Sequence, residues 1–207
     1  MLDKTRDKII NIFRENHGYM SYEALKNEGV TVIQMRDLEG DDTIERFARG
    51  WYWCKVCGYE KPADHKYIEV SLVDPEAVIC LDSACFLAGI PVNEPDNIKF
   101  AVPRSDRKKY ELDFPVKRYF YTHMEEEYIV TRNTEYGNYR FFAPGRALFE
   151  CLSRQNKVDD NNLETILKFG RTRAESVERY KSYLGNIKQT ERQMRKETKE
   201  NGGLYER

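Results

Sequence analysis

Residues 48–60, ARGWYWCKVCGYE, admit two structures that exclude each other. Cys54 and Cys57, with Gly58 behind them, have the spacing of half a zinc knuckle. Arg49-Gly50 followed by Trp51-Tyr52-Trp53 has the tip and return strand of a β-hairpin. A structural zinc normally takes its ligands as two closely spaced pairs. Apart from His65, the candidates for a second pair are Cys80 and Cys85, and both fall in a segment with a capped helical start and an unbroken apolar face. Small buried thiols are ordinary core residues. No metal ligands are therefore expected. Residues 43–48 and 51–54 are read as two strands around an Arg49-Gly50 turn.

The residues before the hairpin carry helical periodicity. Ile9, Ile12 and Phe13 recur at helical spacing in residues 4–16. Ser21 is placed to cap a second short helix, with Glu23 in its first turn and Gly29 closing it. Thr31 is placed to cap a third, in which Val32, Met35 and Leu38 share a face. Three short helices followed by a hairpin, with a Gly29-Val30 joint between the second and third, form the element order of a winged helix-turn-helix. Residues 1–63 are expected to form it.

The pattern changes near Asp64. Asp74-Pro75-Glu76 predicts a helix start: a capping Asp, Pro at the first helical position and an acid in the first turn. Ala77, Val78, Leu81, Ala84, Cys85 and Ala88 would face inward along that helix. Residues 98–102, 116–122, 127–131 and 139–142 read as strands rich in β-branched and aromatic residues. Pro144-Gly145 opens a helix, another carries Leu163, Ile166 and Leu167 to an end at Gly170, and a long polar one follows from about Thr172. The expected class is α+β: an N-terminal winged helix-turn-helix and, over residues 64–207, a mixed α/β domain with C-terminal helices. Each unit is expected to have its own core.

Composition removes several functions. Charged residues make up 33% of the 207, but the formal net charge is −1, so the chain is no polybasic coat. No apolar run is long enough to span a bilayer, and the start mixes charges of both signs where a signal peptide has a basic flank and an apolar block. A cytoplasmic protein with reduced thiols and no membrane partner is expected. Phosphate loops, dinucleotide fingerprints and His-rich metal spacings are missing. His17, His65 and His123 lie far apart in sequence. The run Glu125-Glu126-Glu127 with Asp113 reads as solvated strand ends. Neither catalytic residues nor a cofactor are expected.

Three ordered stretches carry a family likeness. The first is Gly18-Tyr19-Met20-Ser21 with Phe47-Ala48-Arg49-Gly50-Trp51-Tyr52. The second is Asp74-Pro75-Glu76-Ala77-Val78-Ile79-Cys80-Leu81-Asp82-Ser83-Ala84, closed by Gly89-Ile90. The third is Ile98-Lys99-Phe100-Ala101-Val102-Pro103-Arg104, with Arg146-Ala147-Leu148-Phe149-Glu150 beyond it. In these the chain resembles the abortive-infection antitoxins of the AbiEi type. The resemblance implies a winged-helix DNA-binding domain joined to an α/β antitoxin domain. It also implies repression of the protein's own toxin–antitoxin promoter through operator repeats, and neutralisation of a nucleotidyltransferase-like toxin, with or without a stable complex. The alternative is a winged-helix repressor with a ligand-sensing second domain and no toxin.

In a helix-turn-helix the second helix of the pair turns its N-terminal residues toward base edges. These are Thr31, Val32, Gln34, Met35 and Arg36, with Gln34 suited to adenine and Arg36 to guanine or phosphate. Arg46 and Arg49 in the hairpin would reach phosphates or the minor groove. Ser21 and Tyr22 would offer hydroxyls and free backbone N–H groups to phosphate. Acidic residues outnumber basic ones over positions 1–50, which works against phosphate binding. Arg104, Arg107, Lys108 and Lys109, with Lys99, Lys117 and Arg118 nearby, would either extend the footprint on double-stranded DNA or form a solvated turn. Metal analysis of the purified chain should find no stoichiometric zinc. One zinc per chain, lost in the Cys54→Ser, Cys57→Ser variant, would restore the knuckle.

Overall fold

Helices and strands are interspersed along the chain and the strands form two separate sheets, a mixed α+β architecture, in the computed structural model, which describes residues 2–202. The first unit comprises α1 (Asp3–Glu15), β1 (Tyr19–Ser21), α2 (Tyr22–Asn27), α3 (Val32–Gly40), β2 (Ile44–Ala48) and β3 (Trp51–Cys54). Both expected helix caps are formed. Ser21 Oγ accepts from Ala24 N at 3.1 Å, and Thr31 and Gln34 close a capping box. Strand β1 escaped the sequence pattern because it is only three residues long. It joins an antiparallel sheet in the order β1-β3-β2.

Strand alternation sends that sheet's two faces to different places. Met20, Ile44 and Cys54 pack with Ile9, Phe13, Leu25 and Leu38 in a small helical core. Tyr19, Phe47 and Trp53 point the other way, into the larger core of the second unit. Gly18, at φ 87°, makes this possible: a Cβ there would lie 2.4 Å from the Trp53 ring.

The second unit follows with α4 (His65–Val73), β4 (Val78–Ile79), α5 (Leu81–Leu87), β5 (Ile98–Pro103), β6 (Val116–Tyr121), β7 (Ile129–Thr134), β8 (Gly137–Phe142), α6 (Pro144–Ser153), α7 (Asp160–Thr172) and α8 (Ala174–Gly202). Its sheet runs β6-β5-β4-β8-β7, with β5/β6 and β4/β8 parallel and the other pairs antiparallel. Among the described residues, no helix is long and apolar enough to cross a membrane.

The helix expected from Asp74 does not start there: only its second half forms, as α5 from Leu81. Ala77 N donates to Asp74 O at 3.0 Å, so Asp74-Pro75-Glu76-Ala77 is a turn, and Asp followed by Pro is equally a turn signature. Val78 and Ile79 are then drawn into the sheet between β5 and β8. The chain enters α5 abruptly, with buried Leu81 held at φ 54°. Helix α4 was not expected, because Tyr67, Ile68, Glu69, Val70 and Ser71 are all buried and leave no amphipathic stripe to read. Helix α7 continues through Gly170, which does not end it. That glycine admits Leu152, whose Cδ1 would lie 2.7 Å from a Cβ. A short 3-10 turn, Glu126–Tyr128, delays β7 to Ile129.

The first unit keeps the small core expected of it, but the core of the second unit is not independent, since it takes in Tyr19, Phe47, Ala48 and Trp53. Tyr136 of the second unit stands near Tyr19, Trp53 and Tyr59, with ring centroids 6.5, 6.2 and 6.1 Å away. Asp113 N donates to Phe47 O at 2.9 Å, and Ala48 bridges to Leu112. Lys61 joins Glu45 of β2 to the buried Glu69 of α4, and Tyr19 OH donates to the same Glu69 at 3.1 Å. A boundary near Asp64 divides the chain but not the packing.

Two outcomes follow from the shared seam. Trp53→Ala should destabilise the whole chain by about 3–5 kcal/mol in urea unfolding, whereas Val56→Ala, at an exposed position, should stay within about 0.5 kcal/mol. Burial, outweighing Lys61 and Tyr19, pushes the Glu69 carboxyl up to about 7. In the unfolded chain it titrates near ~4.3. The folded state therefore holds the extra proton, and the stability this confers is full below the unfolded pKa and lost as pH rises through about 7. Melting wild type and Glu69→Gln side by side should show the variant gaining relative to wild type across that window; a constant gap would exclude it.

Candidate nucleic-acid interface

Helix α3 begins at the Thr31 cap, so its first turn presents Val32 and Ile33 outward, 45% and 70% exposed. Arg36 is exposed one turn on. Met35, expected to contact bases, is 2% exposed and packs in the small core beside Leu25 and Leu38. The helical phase that turns Leu38 inward turns Met35 inward too. Ile33, which the sequence reading passed over, occupies the outward position.

Gln34 is also committed elsewhere. Its Oε1 accepts from Thr31 N at 2.7 Å and from the Thr31 hydroxyl at 3.1 Å. A bidentate pair with adenine needs that oxygen, so Gln34 and Thr31 support the helix start and do not stand free to read a base. Tyr22 N donates to Gly50 O at 2.7 Å and is not available to phosphate. That bond ties the hairpin tip to the start of α2. The Ser21 oxygen accepts the cap bond, leaving its hydroxyl proton to donate.

Arg36 and Arg46 converge with Tyr22, Val32, Glu39 and Tyr52 on a shallow cavity of about 230 Å³. Arg46 Nε spans 3.4 Å to Ala48 O within its own strand. The β2–β3 turn carries Arg49 outward and away from this cavity, toward the second unit. There Arg49 and Trp51 line a groove of about 470 Å³ with Lys108, Lys109 and Tyr110. The Ala48–Leu112 bridge holds the two walls together.

The basic loop is only partly free. Lys108 pairs with Asp74, and this hydrogen bond raises its pKa. Arg107 folds back to the carbonyls of Arg104 and Asp106 at 3.1 and 2.9 Å. Arg118 is held by Asp106 at 3.1 Å and lies over Tyr110 and Phe120. Arg104 and Lys109 have no ion-pair partner among the described residues. Lys99 is not part of this surface: it is fully buried on β5, its Nζ within 2.8 Å of both Asp82 oxygens and 2.6 Å from Asp159.

The acidic excess of the first fifty positions is offset in space. Asp41 pairs with Arg6 at 2.9 Å, Asp42 with Lys55 at 2.6 Å, and Glu45 with Lys61. Lys55 and Lys61 lie beyond that window, so a count along the chain misses them. Exposed pairs of this kind add little stability, but they lower the negative field around Arg36, Arg46 and Arg49.

Cys54 and Cys57 are buried in the small core, where Cys57 Sγ donates to Cys54 O at 3.1 Å and burial pushes the Cys54 thiol up to about 11. Cys80 and Cys85 lie in the other unit's core, with Cys85 Sγ 3.8 Å from Cys151 Sγ. Among the described residues, no cluster of three or more His, Cys, Asp or Glu is arranged to hold a metal. The acidic run is divided between partners: Glu125 pairs with Arg146 at 3.3 Å and Glu126 pairs with Arg140. Comparison with models of known protein families and with curated protein sequences finds no match for this chain.

Proposed function

We propose that this chain is a DNA-binding antitoxin whose N-terminal unit acts as a winged helix-turn-helix, with α3 as the recognition helix and the β2–β3 hairpin as the wing. The observation that carries the DNA reading is the convergence of Arg49 and Lys109 on one groove, across some sixty residues of sequence, with Lys108 beside them held by Asp74. With Arg36 and Arg46 beside α3, it gives two neighbouring basic stations around one hairpin. Val32 and Ile33 offer exposed apolar contacts of the kind that meet thymine methyl groups, and Arg36 offers a donor fork for guanine or phosphate. The antitoxin part of the reading, with its own promoter as operator and a nucleotidyltransferase-like toxin as partner, is supported by the resemblance of the three sequence stretches.

Binding to the promoter upstream of the gene tests the first part. Arg49→Ala with Lys109→Ala should weaken binding to cognate and random duplex alike and reduce the salt slope by about one unit per lost phosphate contact. Arg36→Ala should cost about 1–3 kcal/mol on the cognate site and little on random DNA. Unchanged affinity and slope in the double variant would remove the groove from the interface. Growth rescue on co-expression with the toxin encoded beside it tests the second part independently. A chain that binds its promoter but gives no rescue would leave a repressor that is not an antitoxin.

A further inference from the structure

The end of β6, helix α6 and helix α8 enclose a cavity of about 200 Å³ that shares no residue with the wing–loop groove. Its floor is charged and internally satisfied. Arg146, 1% exposed, donates to Glu150 at 3.1 Å and to Glu125 at 3.3 Å, and Tyr121 OH donates to Glu150 at 3.0 Å. The Arg146 guanidinium also stacks 3.6 Å from the centre of the Phe142 ring. This floor is pre-organised and asks for no further partner.

The mouth is different. Arg154, its guanidinium 4.7 Å from the centre of the Tyr121 ring, and Lys188 of α8 both line it. Both are exposed, and neither has an ion-pair partner among the described residues. Thr122 and Ser153 add hydroxyl groups to the lining, and Phe120, 50% exposed, stands at the rim. Two unpaired cations over one concave site match a dianion better than a single carboxylate. A phosphate monoester carries about −1.5 to −2 at pH 7 and several strong acceptor oxygens. The volume is below the roughly 300–1,000 Å³ of pockets that enclose whole drug-sized ligands. It suits the phosphate group, with the organic part directed outward along the aromatic rim.

We propose that this cavity binds the phosphate of a small phosphorylated molecule between Arg154 and Lys188, with the organic part against Phe120 and Phe149. Bound there, the ligand bridges α6 to α8 and holds the long helix against the second unit. The proposal is independent of whether the first unit reads DNA.

Calorimetric titration of the full chain with AMP and with inorganic phosphate tests it. AMP should bind saturably at one site and more tightly than phosphate. Arg154→Gln and Lys188→Gln should each weaken AMP by about tenfold or more, the cost of one lost charge-assisted contact. Arg173→Gln, an exposed cation outside this cavity, should leave it unchanged. Because all three positions are exposed, melting temperatures without ligand should match wild type. The proposal is overturned if neither probe binds saturably in the millimolar range, or if Arg173→Gln weakens AMP equally. It is also overturned if the two cations affect only duplex DNA binding, which would assign them to a nucleic-acid surface.

Discussion

A three-stranded sheet with two apolar faces cannot leave either in water, and this one divides them between two bodies. The Met20–Ile44–Cys54 face closes the small helical core. The Tyr19–Phe47–Trp53 face has no helix of its own unit left to cover it and is buried by the second unit. Tyr19 meets Phe47 edge-on at 5.5 Å, Trp53 lies 4.6 Å from Tyr19, and Tyr136 closes over the seam. Aromatic contacts of this kind are worth about 0.5–1.5 kcal/mol each beyond the area they bury. The seam fixes where the β2–β3 turn points, and so brings Arg49 beside Lys109.

Buried polar groups refine what the aromatic seam holds. Tyr19 and Lys61 both converge on Glu69, while Lys61 also reaches Glu45. Desolvating such groups offsets much of their mutual attraction, so they do little for stability while restricting how the surfaces can slide. Lys99 plays the corresponding part inside the second sheet, held by Asp82 and Asp159. The first of these networks ties the sheet of the β2–β3 hairpin to α4 of the second unit, and so helps to set where the hairpin stands.

Much of the local structure was legible in the sequence, for a physical reason. Ser21, Thr31 and Pro144 act on backbone groups within a turn of themselves, and their helices start where those residues imply. The strand after Ile98 and the Arg49-Gly50 turn are likewise local. The failures share the opposite property. Asp74-Pro75-Glu76 satisfies both a helix start and a turn, and tertiary partners decided between them: Lys108 and Tyr110 engage the Asp74 carboxylate. Helix α4, buried nearly all round, carries no periodicity from which to read it.

The candidate site divides in the same way. Sequence alone determined the order of helices and hairpin, the outward Arg36, and the cations Arg46, Arg49 and Lys109, because helical and strand periods place side chains by counting. It also placed Met35 on the same inward face as Leu38, a consequence that the contact reading of α3 overlooked. The capping box that occupies Gln34 is equally local, a Thr-x-x-Gln pattern closed within one turn. Only the tertiary structure decided that Lys99 is buried, and that Lys55 and Lys61 neutralise acids far from them in sequence. It likewise decided that Arg49 shares a groove with Lys109, and Arg154 a cavity with Lys188. These are pairings between residues distant along the chain, and what brings them together is the burial of the sheet's second face and the packing of α8 on α6, neither of which any local pattern encodes.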